Sequence, residues 1–117
     1  MVTVDDVRRV AGPLPRSEEH LIRDRVKFRV GKIVYVAFSR DETVIGFGFP
    51  KEERDALVAS QPDVFHLPDA VNLRFQWCQA WMATLDPAQM EELVIDAWRM
   101  CVPKKISAAY VAGLADR

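Results

Sequence analysis

The alternation of apolar and polar residues is clearest from Lys27 to Phe49, where it predicts three strands joined by two tight turns. In the first strand, basic residues occupy every second position and apolar residues lie between them. This alternation is typical of a half-buried strand with one cationic and one apolar face. Gly31-Lys32 then predicts a two-residue type II′ turn. The alternating basic residues are Arg23, Arg25, Lys27 and Arg29.

The second predicted strand runs from Ile33 to Phe38 and the third from Thr43 to Phe49, with a turn at residues 39–42 between them. In a regular hairpin, Val34, Val36 and Phe38 would lie opposite Arg29, Lys27 and Arg25, and a β-bulge would change this register. The third strand places Gly46 and Gly48 on one face. Glycines in a strand allow a close approach to the backbone, by a packed helix or bulky neighbours or, as the alternative, by a ligand.

The chain before this meander begins with a predicted helix over Val4 to Ala11, because Thr3 and Asp6 resemble an N-cap with an acidic first turn and Gly12-Pro13 ends the pattern. Residues 18–23 fit either an edge strand or a loop. His20 falls in this stretch, and we expect it to be exposed there.

After the meander, Pro50 is predicted to open a helix that ends at Gln61-Pro62, and a short strand follows around residues 64–67. From Leu73 to Leu85 the odd positions are mostly apolar, which predicts one long strand or two in line. This pattern places Trp77 and Trp81 in the core. The alternative is that the two tryptophans stack on nucleic-acid bases.

The clearest local signal is Asp86-Pro87, an N-cap followed by proline at the first helical position. The helix that begins there has a broad apolar face that must cover the sheet. Pro103 ends it, and a last short helix is predicted around residues 106–110. These elements predict an α+β fold in which helices pack on one face of an antiparallel sheet, and a single domain over residues 1–117. The apolar face comprises Met90, Leu93, Val94, Ala97, Trp98 and Cys101.

The net charge of −1 conceals an uneven distribution. Residues 8–40 contain nine basic and three acidic residues, whereas residues 41–100 contain four basic and eleven acidic ones. A basic excess is therefore local, in the region of the first predicted strand.

We expect a cytoplasmic protein, since the sequence has neither a run of about 18 apolar residues nor a signal-peptide pattern. Cys78 and Cys101 are predicted to be buried free thiols, and the spacing of cysteine and histidine predicts no metal site and no cofactor.

Several segments together resemble the MmcQ/YjbR family of small bacterial proteins. They are the Thr3–Arg8 helix start, the Lys27–Ile33 hairpin, Pro50-Lys51-Glu52-Glu53, Trp77, and Asp96–Arg99 leading to Val102-Pro103-Lys104-Lys105. The resemblance covers nearly the whole chain. It implies a frataxin-like (CyaY-like) arrangement of an antiparallel sheet with helices on one face, in a family described as DNA-binding by inference or of unknown function.

Two functions follow as hypotheses. The first is sequence-nonspecific binding of DNA, because cations at alternate strand positions can follow a phosphate backbone. The second is a protein-interaction or regulatory domain, in which the basic surface meets an acidic protein or the acidic half of another copy. An enzyme is the third possibility and is not our prediction, since the sequence contains no phosphate loop, nucleophile elbow or Cys-His pair with catalytic spacing. The residues predicted to contact nucleic acid are Arg23, Arg25, Lys27, Arg29, Lys32, Lys104 and Lys105.

Overall fold

The computed structural model describes residues 1–115. A short helix precedes a four-stranded meander, and the longest helix follows the last strand. In chain order the elements are α1 (Val4–Ala11), β1 (Ser17–Ile22), β2 (Arg25–Val30), β3 (Ile33–Phe38), β4 (Val44–Gly48), α2 (Lys51–Ser60), β5 (Phe65–His66), β6 (Trp77–Trp81), α3 (Pro87–Arg99) and α4 (Lys104–Ala115).

The six strands form one sheet in the order β1-β2-β3-β4-β6-β5, and every neighbouring pair is antiparallel. Helix α3 packs against β3 and β4 and against α1, while α2 lies near β5 and β6. We call the face under α1 and α3 the covered face and the opposite one the open face. The predicted α+β class is confirmed.

Capping residues begin helices α1 and α3 where the sequence predicted. The Thr3 Oγ1 atom accepts a hydrogen bond from Asp6 N at 3.2 Å, and the Asp6 carboxylate accepts one from Thr3 N at 2.9 Å. Asp86 Oδ2 accepts from Gln89 N at 3.1 Å, and Pro87 is the first residue of α3. Pro50 lies at the N-cap of α2 and not in its first turn. Helix α4 runs from Lys104 to Ala115 and is longer than the helix predicted around residues 106–110.

A β-bulge in β3 corrects part of the predicted register. Val34 lies opposite Arg29 as expected, but the next pair is Val36 with Phe28, because Tyr35 is an extra residue on β3. Val36 and Phe38 therefore point into the covered face, where they are buried. Ala37 takes the place opposite Lys27, so a small residue lies on the open face there. The Tyr35 hydroxyl is 2.5 Å from Ser17 Oγ, and its burial raises the pKa of Tyr35 to about 12.

Strand β6 is shorter than predicted and presents the other set of side chains to the core. The strand covers only Trp77–Trp81, and residues before it form turns and bends. Its buried residues are Cys78 and Ala80, while Trp77 is half-buried and Trp81 is 45% exposed. The prediction that both tryptophans pack in the core was wrong. The reason lies on neighbouring strands: Phe47 and Phe65 lie opposite Cys78 and Ala80 and fill the space there.

Candidate nucleic-acid interface

Strand β2 carries three of the predicted cationic residues. Arg25, Lys27 and Arg29 alternate along it, with Arg25 exposed and the other two half-buried. Within residues 1–115, no carboxylate forms an ion pair with any of them. No ion pair among the described residues therefore neutralises this row.

Arg23 does not belong to that row, contrary to the prediction. Arg23 and Asp24 form the two-residue turn between β1 and β2, with φ angles of 53° and 64°. Arg40, which follows β3, donates from its Nε to the Arg23 carbonyl oxygen at 3.3 Å. Arg23, Arg25, Lys27 and Arg40 together line a small cleft of about 200 Å³. Sequence reasoning missed Arg40, although its place at the end of the basic region was a usable signal.

The structure does not bring the three remaining predicted lysines to this place. Lys32 lies in the β2–β3 turn, at the opposite end of β2 from Arg23. Lys104 and Lys105 are exposed at the start of α4. Lys104 lines a separate groove between α2, α3 and α4, and neither lysine lines the cleft beside β2.

On the open face, two small residues lie side by side, Ala37 on β3 and Gly46 on β4, so their own side chains project little above the backbone of the sheet. We call this pair the floor of the open face. The Trp77 indole packs directly over Gly46, where a Cβ atom would lie 2.6 Å from Trp77 Nε1. Gly48 instead meets α3, with a Cβ position 3.7 Å from Ala97 Cβ. Close packing over these glycines is confirmed, by the bulky Trp77 at Gly46 and by helix α3 at Gly48, whereas the prediction that both glycines lie on one face was wrong.

Above this floor lies a cavity of about 460 Å³. Arg25 and Lys27 contribute to its lining from β2, and Trp77 and Gln79 contribute from β6. The loop before β6 supplies Phe75, whose ring is 48% exposed and lies 4.8 Å below the Arg74 guanidinium carbon. The result is a groove with cations on β2 and with aromatic rings on β6 and the loop before it.

Arg54 of α2 holds the loop wall of this groove in place. Its side chain is only 7% exposed, and its guanidinium donates hydrogen bonds to the carbonyl oxygens of Leu73 at 2.9 Å, Phe75 at 3.1 Å and Trp77 at 2.9 Å. A buried cation that faces three carbonyl groups satisfies backbone acceptors that have no strand partner. Sequence reasoning missed this role, because Arg54 lies in a charged helical segment that resembles a solvated face.

The histidines and cysteines near the sheet are poor candidates for chemistry. The pKa of His66 is lowered because partial burial disfavours its charged form, with Gln79 acting in the opposite direction. Its ring stacks on Trp81 at 4.6 Å between centroids. His20 is on edge strand β1, 3.2 Å from Glu18 Oε2. Cys78 and Cys101 are free thiols as predicted, the first buried and the second half-buried, and burial raises the pKa of both.

The YjbR family model matches residues 13–100 of the chain. The protein belongs to the YjbR family. The crystal structure of the Deinococcus radiodurans protein DR2400, which carries the family-model domain DUF419, superposes with a TM-score of 0.74 at 22% sequence identity. The match covers 86% of this chain and 78% of that one, and it supports the shared fold. No match was found among curated proteins. None of the helices in the described part of this YjbR-family chain is long and apolar enough to cross a membrane.

Proposed function

We propose that this YjbR-family protein binds nucleic acid without reading its sequence, through the open face of the sheet. The observation that carries the proposal is the groove in which Arg25 and Lys27, both without carboxylate partners among the described residues, lie beside Trp77 and Phe75. The proposal includes no catalytic step, because its basis is charge and stacking.

Two physical effects favour such a ligand. Alternate residues of a strand lie roughly 6.5 to 7 Å apart, so cations on one face of β2 can contact successive phosphates and release their counterions. Aromatic side chains at the edge of a cationic groove stack on bases of any identity. Neither contact distinguishes one base sequence from another, so the expected binding is nonspecific.

The test is fluorescence anisotropy with labelled single-stranded and double-stranded DNA over a salt series. The variant Arg25→Ala/Lys27→Ala removes two charges from the groove, and the control Lys104→Ala/Lys105→Ala removes two charges from α4. We expect the groove variant to weaken single-strand binding at least about tenfold and to reduce the salt slope by about 1.4, because each lost phosphate contact contributes about 0.7. The α4 variant should bind like the wild type. Equal losses in both variants, or no binding by the wild type, would contradict the proposal.

A second function is favoured by the charges on the helices. The acidic side chains of α2 and α3 are exposed, on helices that pack near β3, β4, β5 and β6. This arrangement allows an acidic partner, or the helical side of another copy, to dock on the open face. Sizing at low and high salt tests it: self-association that disappears with salt, in a protein that does not bind DNA, would favour this function. The exposed acidic residues are Glu52, Glu53, Asp55, Glu91, Glu92 and Asp96.

A further inference from the structure

We infer that the open-face cavity binds one unpaired nucleobase, so that the nucleic-acid ligand is a single strand. The inference rests on the proposed function and adds a substrate class to it. A strand that only followed the cations of β2 would need a flat surface, whereas this surface has a cavity of about 460 Å³. That volume falls within the range of about 300 to 1,000 Å³ that is usual for small-molecule sites.

The charges around the cavity fit a base with phosphates attached. Arg25 and Lys27 lie at one side of the lining, and no aspartate or glutamate of the described residues lines it. Trp77 and Phe75 provide ring surfaces for stacking. The Trp77 indole covers Gly46, and beside it Ala37 of β3 contributes only a methyl group to the lining, so a planar group can approach the sheet at Ala37 next to the Trp77 ring.

Two amide side chains in the lining are held in defined orientations. Asn72 Nδ2 donates to Asp69 Oδ1 at 2.9 Å, which leaves the Asn72 carbonyl oxygen as an acceptor. Gln76 Oε1 accepts from Lys51 N at 2.6 Å, which leaves the Gln76 amide NH₂ as a donor. A base edge carries both donors and acceptors, and these are accessible to a protein when the base is unpaired. In a duplex the same edges are paired and the faces are stacked.

The experiment compares three ligands of matched length in anisotropy at one salt concentration: a single strand, the same strand with abasic sites, and a duplex. The abasic strand keeps the phosphate charge and loses the bases. We expect the intact strand to bind at least about tenfold more tightly than the abasic strand, because only the intact strand has bases and one or two stacked bases contribute an effect of this size. Equal binding of the two strands would overturn the base site and leave the proposed function standing. Failure to bind any of the three would overturn both.

The variant Phe75→Ala adds a second readout. Phe75 is 48% exposed, so its removal should leave the fold intact, as circular dichroism can verify. We expect the preference for the intact strand to fall at least threefold while the salt slope stays unchanged. Phe75→Leu, which keeps bulk without the aromatic ring, should lose the preference too. Trp81→Ala is the matched control, because Trp81 is an exposed aromatic residue of β6 outside the cavity lining. An equal effect of Trp81→Ala would contradict the assignment to this cavity.

Discussion

The two faces of the sheet use side-chain size in opposite ways. On the covered face, large apolar residues of the central strands are buried under α1 and α3, and small residues of β6 lie beneath Phe47 and Phe65. On the open face, β3 and β4 supply the small residues and β6 supplies the bulky Trp77. Large side chains therefore fill the covered face between the central strands, and the open face retains a cavity. The buried apolar residues of the covered face include Phe28, Val36, Phe38, Ile45 and Phe47.

The comparison shows that volume decides which side of a strand is buried. Trp77 and Trp81 are more apolar than Gln79, and the β6 pattern taken alone predicts that they are buried. Since aromatic residues of β4 and β5 already occupy the covered side, only small residues of β6 fit there. The tryptophans consequently face the side that is left for solvent or a ligand.

The largest expected effect comes from Arg54, which at 7% exposure is the one buried cation among the described residues and holds the loop at the wall of the open-face groove. We expect Arg54→Met to lower the free energy of unfolding by about 3 kcal/mol, because three buried carbonyl groups lose a charged donor. Urea unfolding measures the change.

The control for this prediction is Arg74→Met, which removes an exposed arginine from the same loop region. Its cost should stay below about 1 kcal/mol. A cost of Arg54→Met no larger than that of Arg74→Met would show that the three hydrogen bonds do not hold the loop.

The second prediction compares truncation of two adjacent residues, Met82 and Trp81, whose side chains point to opposite faces of the sheet. Met82 is 2% exposed and Trp81 is 45% exposed. We expect Met82→Ala to lower the free energy of unfolding by about 2 to 4 kcal/mol through lost burial and a residual cavity. Trp81→Ala removes a larger side chain but should cost under about 1 kcal/mol. Thermal or urea unfolding measures both, and a larger cost for Trp81→Ala would reverse our assignment of the two faces.

Local signals in the sequence predicted most of the fold because they depend on neighbouring residues. The Thr3 and Asp86 caps, the turn at Gly31 and the apolar face of α3 all involve contacts within a few positions of the chain. The β3 bulge and the burial side of β6 depend on partners on other strands, so a single-strand pattern cannot reveal them.

The candidate site was predictable only in part for the same reason. Arg25, Lys27 and Arg29 were found from their alternation on one strand. The cavity beside two of them requires Gly46, Trp77 and a loop that Arg54 anchors from 19 or more positions away. Lys104 was included because it is basic, yet the chain places it in another groove.

The smallest effect is expected from substitutions in the two turns of the β1–β2–β3 meander, at Asp24 and Gly31. Asp24 has a φ of 64° and Gly31 a φ of 58°, so both occupy the left-handed region, but only glycine does so without steric cost. We expect Asp24→Gly to raise the free energy of unfolding by about 0.5 kcal/mol, since the relief of strain exceeds the added entropy of the unfolded chain.

The reverse exchange, Gly31→Asp, should lower the free energy of unfolding by about 1 kcal/mol. No atom lies within 4 Å of a Cβ at Gly31, so this cost would come from backbone conformation and not from a clash. Urea unfolding of the two variants isolates the backbone term, because they exchange the same residue types at nearly the same φ. If both variants change the free energy of unfolding in the same direction, the charge of Asp24, and not its backbone conformation, determines the stability of the first turn.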